Sequence, residues 1–415
     1  MKRFKQFALP VLVAGLTSIK ANAVPTRTDI NPASFAYQSF LVAPDLAQAD
    51  RDYLLTNEWR GQKLPDRAGE LLGRYDAQFR LVRAAAQSVV PCDWGIDMSQ
   101  GPYTLLPHLA RAKAVIQITR LRAMWALQHD RPNDARDELI AAMALARNTA
   151  QDHTLIAALV QIAGENILLS VVAENYGRFS PETLQQIMAG FDAAPARTPV
   201  SACMATERDA TVNWLVARIH ELQKENPANE AAVLAGVHDA FVAAEDDPAN
   251  NAKMWQKILA GSGGTGDGLI KLAREMEPLY TRAEAVLALP KSQYDEQMQA
   301  LSAEIQNSTN PLVGAFFPAY EKCRVKDFMI QSKAAMVRAA VEYKLHGEAG
   351  LKSVNDPFGN GPFEFQRFFL NGVDRGFQLR GAYNGRGFPE TLIFTEKDGP
   401  AFLVDGKDAG KPVRE

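Results

Sequence analysis

A mainly α-helical protein, arranged as antiparallel helical hairpins in a repeat-like array and closed by a small C-terminal antiparallel β-sheet, is what this 415-residue chain predicts. Three observations carry the prediction. Apolar residues recur at three-to-four-residue spacing through most of the chain, and cap and proline signals cut that pattern into helices. After Asp356 the period falls to about 2, the spacing of a strand.

The first 23 residues are set apart from the fold. "MKRFKQFALPVLVAGLTSIKANA" places Lys2, Arg3 and Lys5 before an apolar run from Phe7 to Leu16, then Ala21-Asn22-Ala23. That order is expected of a signal peptide cleaved after Ala23. The run is shorter than the roughly 20 residues that span a bilayer, and Lys20 breaks its far end. The expected address is periplasmic or secreted, with a mature chain not integral to the membrane. Cleavage would remove four of the 45 Lys and Arg and no acid, leaving 41 basic against 48 acidic residues. So acidic a chain, without a basic stripe, is not built for nucleic acid.

Residues 24–259 are expected to form an N-terminal helical domain. "LLPHLARAKAVIQITRLRAMWALQ" spaces Leu105, Leu109, Ala112, Ile116, Ala123 and Leu127 as one buried stripe. "HDRPND" ends it, with Asp130 as the expected cap of a second helix and Pro132 in its first turn. The second helix buries Ala135, Leu139, Ala142, Met143 and Ala146. Helices joined by so short a loop pack antiparallel. An aromatic and a small residue, a polar turn and then Ala-rich positions resemble one tetratricopeptide-type unit, although no 34-residue period recurs.

"HTLIAALVQIAGENILLSVVAENYG" is apolar almost all round, while Gln161, Glu165 and Asn166 near its middle argue for burial in protein rather than lipid. "SPETLQQIMAGFDAAP" starts with Ser180 as cap and Pro181 in the first turn. "VSACMATERDATVNWLVARIHELQ" reads as one amphipathic helix with Met204, Thr211, Leu215 and Leu222 inward.

The glycines of "AGSGGTGDGL" predict a flexible loop over 260–268. It lacks the ending of a phosphate-binding loop and follows no strand. Helical periodicity resumes over 269–326. The last unit, 327–415, opens with "DFMIQSKAAMVRAAVEYKLHGEAG", a helix ended by Gly347 or Gly350. Then come "DPFGNGPFEFQRF", the alternating "GFQLRG" and "TLIFTEKDGPAFLV", where Asp398-Gly399 is the expected hairpin turn.

Two further resemblances rest on these segments. From Asp327 to Gly385 the long helix, "DPFGNGPFEFQR" and "GFQLRG" look like the helix-to-sheet end of the major pseudopilins of type II secretion. In those proteins a comparable Asp-Pro-aromatic-Gly motif leads into a calcium-wrapping segment. Asp356 matches its first residue, but "YNGRGFPE" offers only Asn384 and Glu390 around Arg386, so no metal is expected. Over most of the mature chain, "NPASFAYQSFLVAPD", "CDWGID", "LPHLARAKAV", "RPNDARDELIAAMALARN", "TLIAALVQIA", "NPLVGAFFPAYEK" and "DPFGNGPF" occur in the order found in a family of secreted bacterial helical proteins. That resemblance implies the architecture and export and leaves the activity open.

Candidate chemistry is sparse. Glu165 lies on a buried helix and Glu207 on the inward side of its own. Facing each other, the two carboxylates would form a pair with one raised pKa, as acid–base catalysis on a glycan uses. The competing expectation is that an arginine such as Arg111, Arg120 or Arg122 neutralises each one, which also hydrogen-bonds a helix end. The histidines are scattered, "HEL" at His220 has no second His, and His108 is expected to cap a helix. No Gly-x-Ser-x-Gly elbow occurs. Cys92, Cys203 and Cys323 have neither zinc nor dithiol spacing and allow at most one bridge. The expected role is a scaffold or binding module for a protein or cell-envelope component, without cofactor, and the alternative is a hydrolase using Glu165 and Glu207.

Overall fold

Several helices start at a capping side chain in a computed structural model that describes residues 27–55, 63–242, 248–317, 320–385 and 387–412. The expected signal peptide, residues 1–23, and Arg386 lie outside the described residues. Asn31 accepts from the Ala33 amide, and Pro32 opens α1, Pro32–Leu41. α2 (Gln48–Leu55), α3 (Asp66–Gly73) and α4 (Asp76–Ala86) follow and bury Leu54, Leu72, Phe79 and Val82 in one apolar cluster.

α5 (Pro107–Gln128) and α6 (Pro132–Asn148) form the expected hairpin, with all five predicted apolar positions of α6 buried. Leu105, expected to head the stripe of α5, precedes the helix and is 83% exposed. Nor does Asp130 cap α6. It takes a left-handed φ of 54°, which Asp tolerates better than most residues, and Arg131 occupies the cap position. α5 carries two buried stripes rather than one. Ile116, Ala123 and Leu127 face the main core, while Val115, Ile118, Leu121 and Met124 face the cluster of α1 to α4.

α7 (Leu155–Glu174) is capped by Thr154. It is long and apolar enough to cross a membrane, but 67% of its most apolar window is buried in protein, with Gln161 and Glu165 inside. α8 (Pro181–Ala193) starts as expected, Ser180 accepting from the Thr183 amide.

The single helix expected from Val200 is divided. A 3-10 turn, Val200–Cys203, leads into α9 (Met204–Arg208), a π turn (Asp209–Asn213) and α10 (Trp214–Glu225). A π turn shifts the helical repeat, so the buried face passes from Met204 to Val212 and Leu215, and Thr211 is only half-buried.

α11 (Glu230–Val242), α12 (Pro248–Ser262), α13 (Gly266–Arg274), α14 (Glu277–Ala288), α15 (Lys291–Gln306) and α16 (Pro311–Phe316) continue the main core. The loop expected over 260–268 shrinks to a turn. Gly263 and Gly264 take φ of 64° and 68°, and Thr265 caps α13 by accepting from the Gly268 amide. Gly268 is tolerated in α13 because a Cβ there would collide with the Ser262 carbonyl: the tightness of the turn, not flexibility, requires the glycine.

α17 (Tyr320–Ser353) buries Phe328, Met336, Ala339 and Ala340 and is broken at Gly347, whose φ is 62° and ψ −147°. β1 (Glu364–Leu370), β2 (Val373–Arg380) and β3 (Thr391–Thr395) form an antiparallel sheet in that order. The tight hairpin is Asn371–Gly372, with φ of 53° and 78°. Asp398–Gly399, expected in that role, belongs to a wider return after β3 that brings Asp405 back to bridge Leu392. Phe377 of β2 and Phe394 of β3 stack at 5.1 Å and pack edge-on to Tyr176, so the sheet shares the helical core.

Candidate functional site

Glu165, near the middle of α7, is gripped by two arginines. Its Oε1 accepts from Arg147 Nε of α6 at 3.1 Å and from Arg197 Nε at 2.9 Å, and its Oε2 lies 2.8 Å from the same Arg197 nitrogen. Arg197 reaches on to α17, with Nη2 at 3.0 Å from Asp327 Oδ1. Asp327 in turn pairs with Arg324 and accepts from Gln331 at 3.1 Å. Arg147 also donates to the carbonyls of Phe191 and Pro195, at 2.8 and 3.2 Å. Burial works against the Arg197 charge, but Glu165 and Asp327 outweigh it and raise its pKa.

The arginines expected to neutralise Glu165 do other work. Arg120 donates to both oxygens of Glu174 at 2.7 Å, Arg122 serves Glu138 and Asp76, and Arg111 is exposed. Arg147 and Arg197 replace them. The one hint in the sequence is that Arg197 stands alone among small residues in "AAPARTPV".

Glu207 does not meet Glu165. Its Oε1 accepts from the Leu155 amide at 2.8 Å, at the start of α7, where a carboxylate satisfies an otherwise unpaired N–H. Leu155 and Glu165 are ten residues apart on one helix, about 15 Å along the axis. Burial raises the Glu207 pKa, the Leu155 amide opposes that rise, and Asp152 adds to it. The carboxylate pair of the hydrolase alternative is thus two separate sites, because Glu207 of α9 meets the start of α7 rather than its middle.

Arg147, Glu165 and Arg197 also line a cleft of about 410 Å³ between α6, α7, α8 and α17. Met143, Leu169, Met188, Phe191 and Ile330 make it mainly apolar. Arg338, also in the lining, pairs with Asp192 at 2.5 Å. Three arginines, Arg147, Arg197 and Arg338, therefore stand against two lining carboxylates, Glu165 and Asp192. Volume, apolar walls and a few fixed polar groups are the properties of a ligand pocket.

Other predicted positions have structural work. His108 is fully buried rather than a cap: it stacks on Trp94 at 4.4 Å, with Nε2 at 3.3 Å from Asp152 Oδ2. Asp356 gives its two oxygens to backbone, accepting from Phe358 N at 2.9 Å and Ala382 N at 2.6 Å. Glu390 lies 3.5 Å from the buried Lys333 ammonium. Among the described residues no group of three or more His, Cys, Asp or Glu is placed to hold a metal ion. Cys203 and Cys323 are buried thiols, and burial pushes the partly exposed Cys92 up to about 12.

No family model, curated protein or solved structure matches the chain.

Proposed function

We propose that this chain is an exported helical binding module that recognises a protein or cell-envelope component through the cleft between α6, α7, α8 and α17. The observation that carries the reading is a mainly apolar cleft whose lining includes the bonded Arg147, Glu165 and Arg197, with one arginine in excess of the carboxylates that line it. An apolar side chain beside a carboxylate on the partner suits that excess charge. Because the arginines are already held by Glu165 and by the carbonyls of Phe191 and Pro195, little ordering is needed on binding.

Export is supported by the basic, apolar and small-residue order of residues 1–23. Binding is favoured over hydrolysis because Glu165 gives both oxygens to arginine and Glu207 lies away from it, at the start of α7.

The test is capture from envelope extract by the chain from Val24 onward, beside two variants. Ala334→Trp fills the cleft from an exposed position on α17, and Ala231→Trp makes the same change at an exposed position on α11. The expected result is one partner retained by the native chain and Ala231→Trp and lost from Ala334→Trp. Equal retention by both variants would remove the cleft from recognition.

A further inference from the structure

A second cavity, of about 500 Å³, opens among α3, α4, α5 and α6. Four arginines and four carboxylates line it, and most of them satisfy one another. Arg122 donates to Asp76 at 2.8 Å and to Glu138 Oε1 at 3.0 Å, and Arg83 reaches the same Oε1 at 2.7 Å. Arg131 pairs with Asp134 at 3.2 Å, and Asp137 with Arg136 at 2.8 Å.

Two groups are left over. Glu138 is only 5% exposed, yet its Oε2 has no hydrogen-bond partner. A buried carboxylate oxygen without a donor is costly, and a ligand donor removes that cost. Arg80, on α4 one turn before Arg83, makes no ion pair with any described residue and turns an exposed guanidinium to the same cavity.

The walls are stiff. Arg122 is fixed by the Leu72 carbonyl at 2.9 Å and lies over the Phe79 ring at 4.5 Å. Trp125 packs so closely on α3 that a Cβ at Gly69 would collide with its ring. The site is thus pre-organised, with charges that sum to zero and with one acceptor and one cation unused.

We propose that this cavity binds a small zwitterion, a free amino acid or short peptide, whose ammonium donates to Glu138 Oε2 and whose carboxylate pairs with Arg80. A ligand of single charge would unbalance the ring, whereas a zwitterion completes both unused groups. Arg80 and Arg83 are three residues apart on one helix face, about 5 Å along the axis, and Arg83 touches Glu138, so the two ends are a short molecule's length apart. Burial raises the Glu138 pKa, with Arg122 and Arg83 opposing and Asp76 adding to the rise. An ammonium arriving beside it would favour the ionised form.

The proposal is tested by titration calorimetry on the chain from Val24, with each free L-amino acid, alanyl-alanine, its N-acetyl and amide derivatives, and glucose as probes. Expected is saturable binding of at least one zwitterion, weakened about tenfold or more by Arg80→Ala and by acetylation of its amine. Glu138→Gln, which keeps the size of the side chain but removes the charge that receives the ammonium, should weaken it likewise. Should Glu138→Gln fail to fold, exposed Arg80 still gives a clean variant. No zwitterion bound to about 10 mM, binding indifferent to Arg80→Ala, or glucose bound in preference would each overturn the proposal. Ala334→Trp in the other cleft should leave this binding unchanged, so the two readings fail separately.

Discussion

The guanidinium of Arg197 bridges Glu165 of α7 and Asp327 of α17, at 2.8 Å from one carboxylate and 3.0 Å from the other, and so ties the central helix to the C-terminal one. Removing it would leave two buried carboxylates, each with one arginine fewer. Arg197→Met should destabilise the protein by about 3 kcal/mol, read from urea unfolding. The combination with Glu165→Leu should cost less than the two single losses added together, since the unpaired charge then goes too.

Glu207 makes stability depend on pH in a definite direction. Its folded pKa lies above the ordinary 4.5, chiefly through burial, so its ionised form is disfavoured in the folded state. It therefore costs stability above its folded pKa, and the cost fades as pH falls from there towards 4.5. Glu207→Gln, which can still accept from Leu155, should raise the Tm at pH 7 and lose that advantage near pH 4. An advantage that grows on acidification would refute this account.

Lys333 is buried, with its ammonium at 2.5 Å from Asp405, 2.6 Å from Asn166 and 3.5 Å from Glu390. It holds the C-terminal segment to α7 and α17. Lys333→Met should cost about 3 kcal/mol. Hydrogen exchange should then show faster opening of residues 391–405 than of α6, whereas uniform acceleration would mean that the sheet and helices open together.

At Gly376 the chain takes a φ of 146° beside the bulge in β1, and a Cβ there would collide with the Phe394 carbonyl. Gly376→Ala should cost at least about 2 kcal/mol and loosen β3. Gly361→Ala, with nothing within 4 Å of its Cβ position, should stay within about 0.5 kcal/mol of the parent.

Features that depend on neighbours within a turn were legible in the sequence by itself. Ser180 caps α8, the apolar face of α6 is buried residue for residue, and a sheet follows α17. Each follows from the period of a helix or strand and from amides that only the preceding residue can reach. The Asn371–Gly372 turn is equally local, an Asn-Gly pair between two strands.

Only the tertiary structure decided which charge meets which. Arg120, Arg122 and Arg147 share α5 and α6, yet Glu165 receives Arg147 together with Arg197, thirty-two positions on, while Arg122 turns to Glu138. A long side chain reaches several neighbours, and sequence spacing says nothing of which element lies across from it. The same limit separated Glu165 from Glu207. Both inward faces were readable, but the point at which α9 crosses α7 is set by packing across the whole core, and that crossing leaves one carboxylate in a cleft and the other at a helix end.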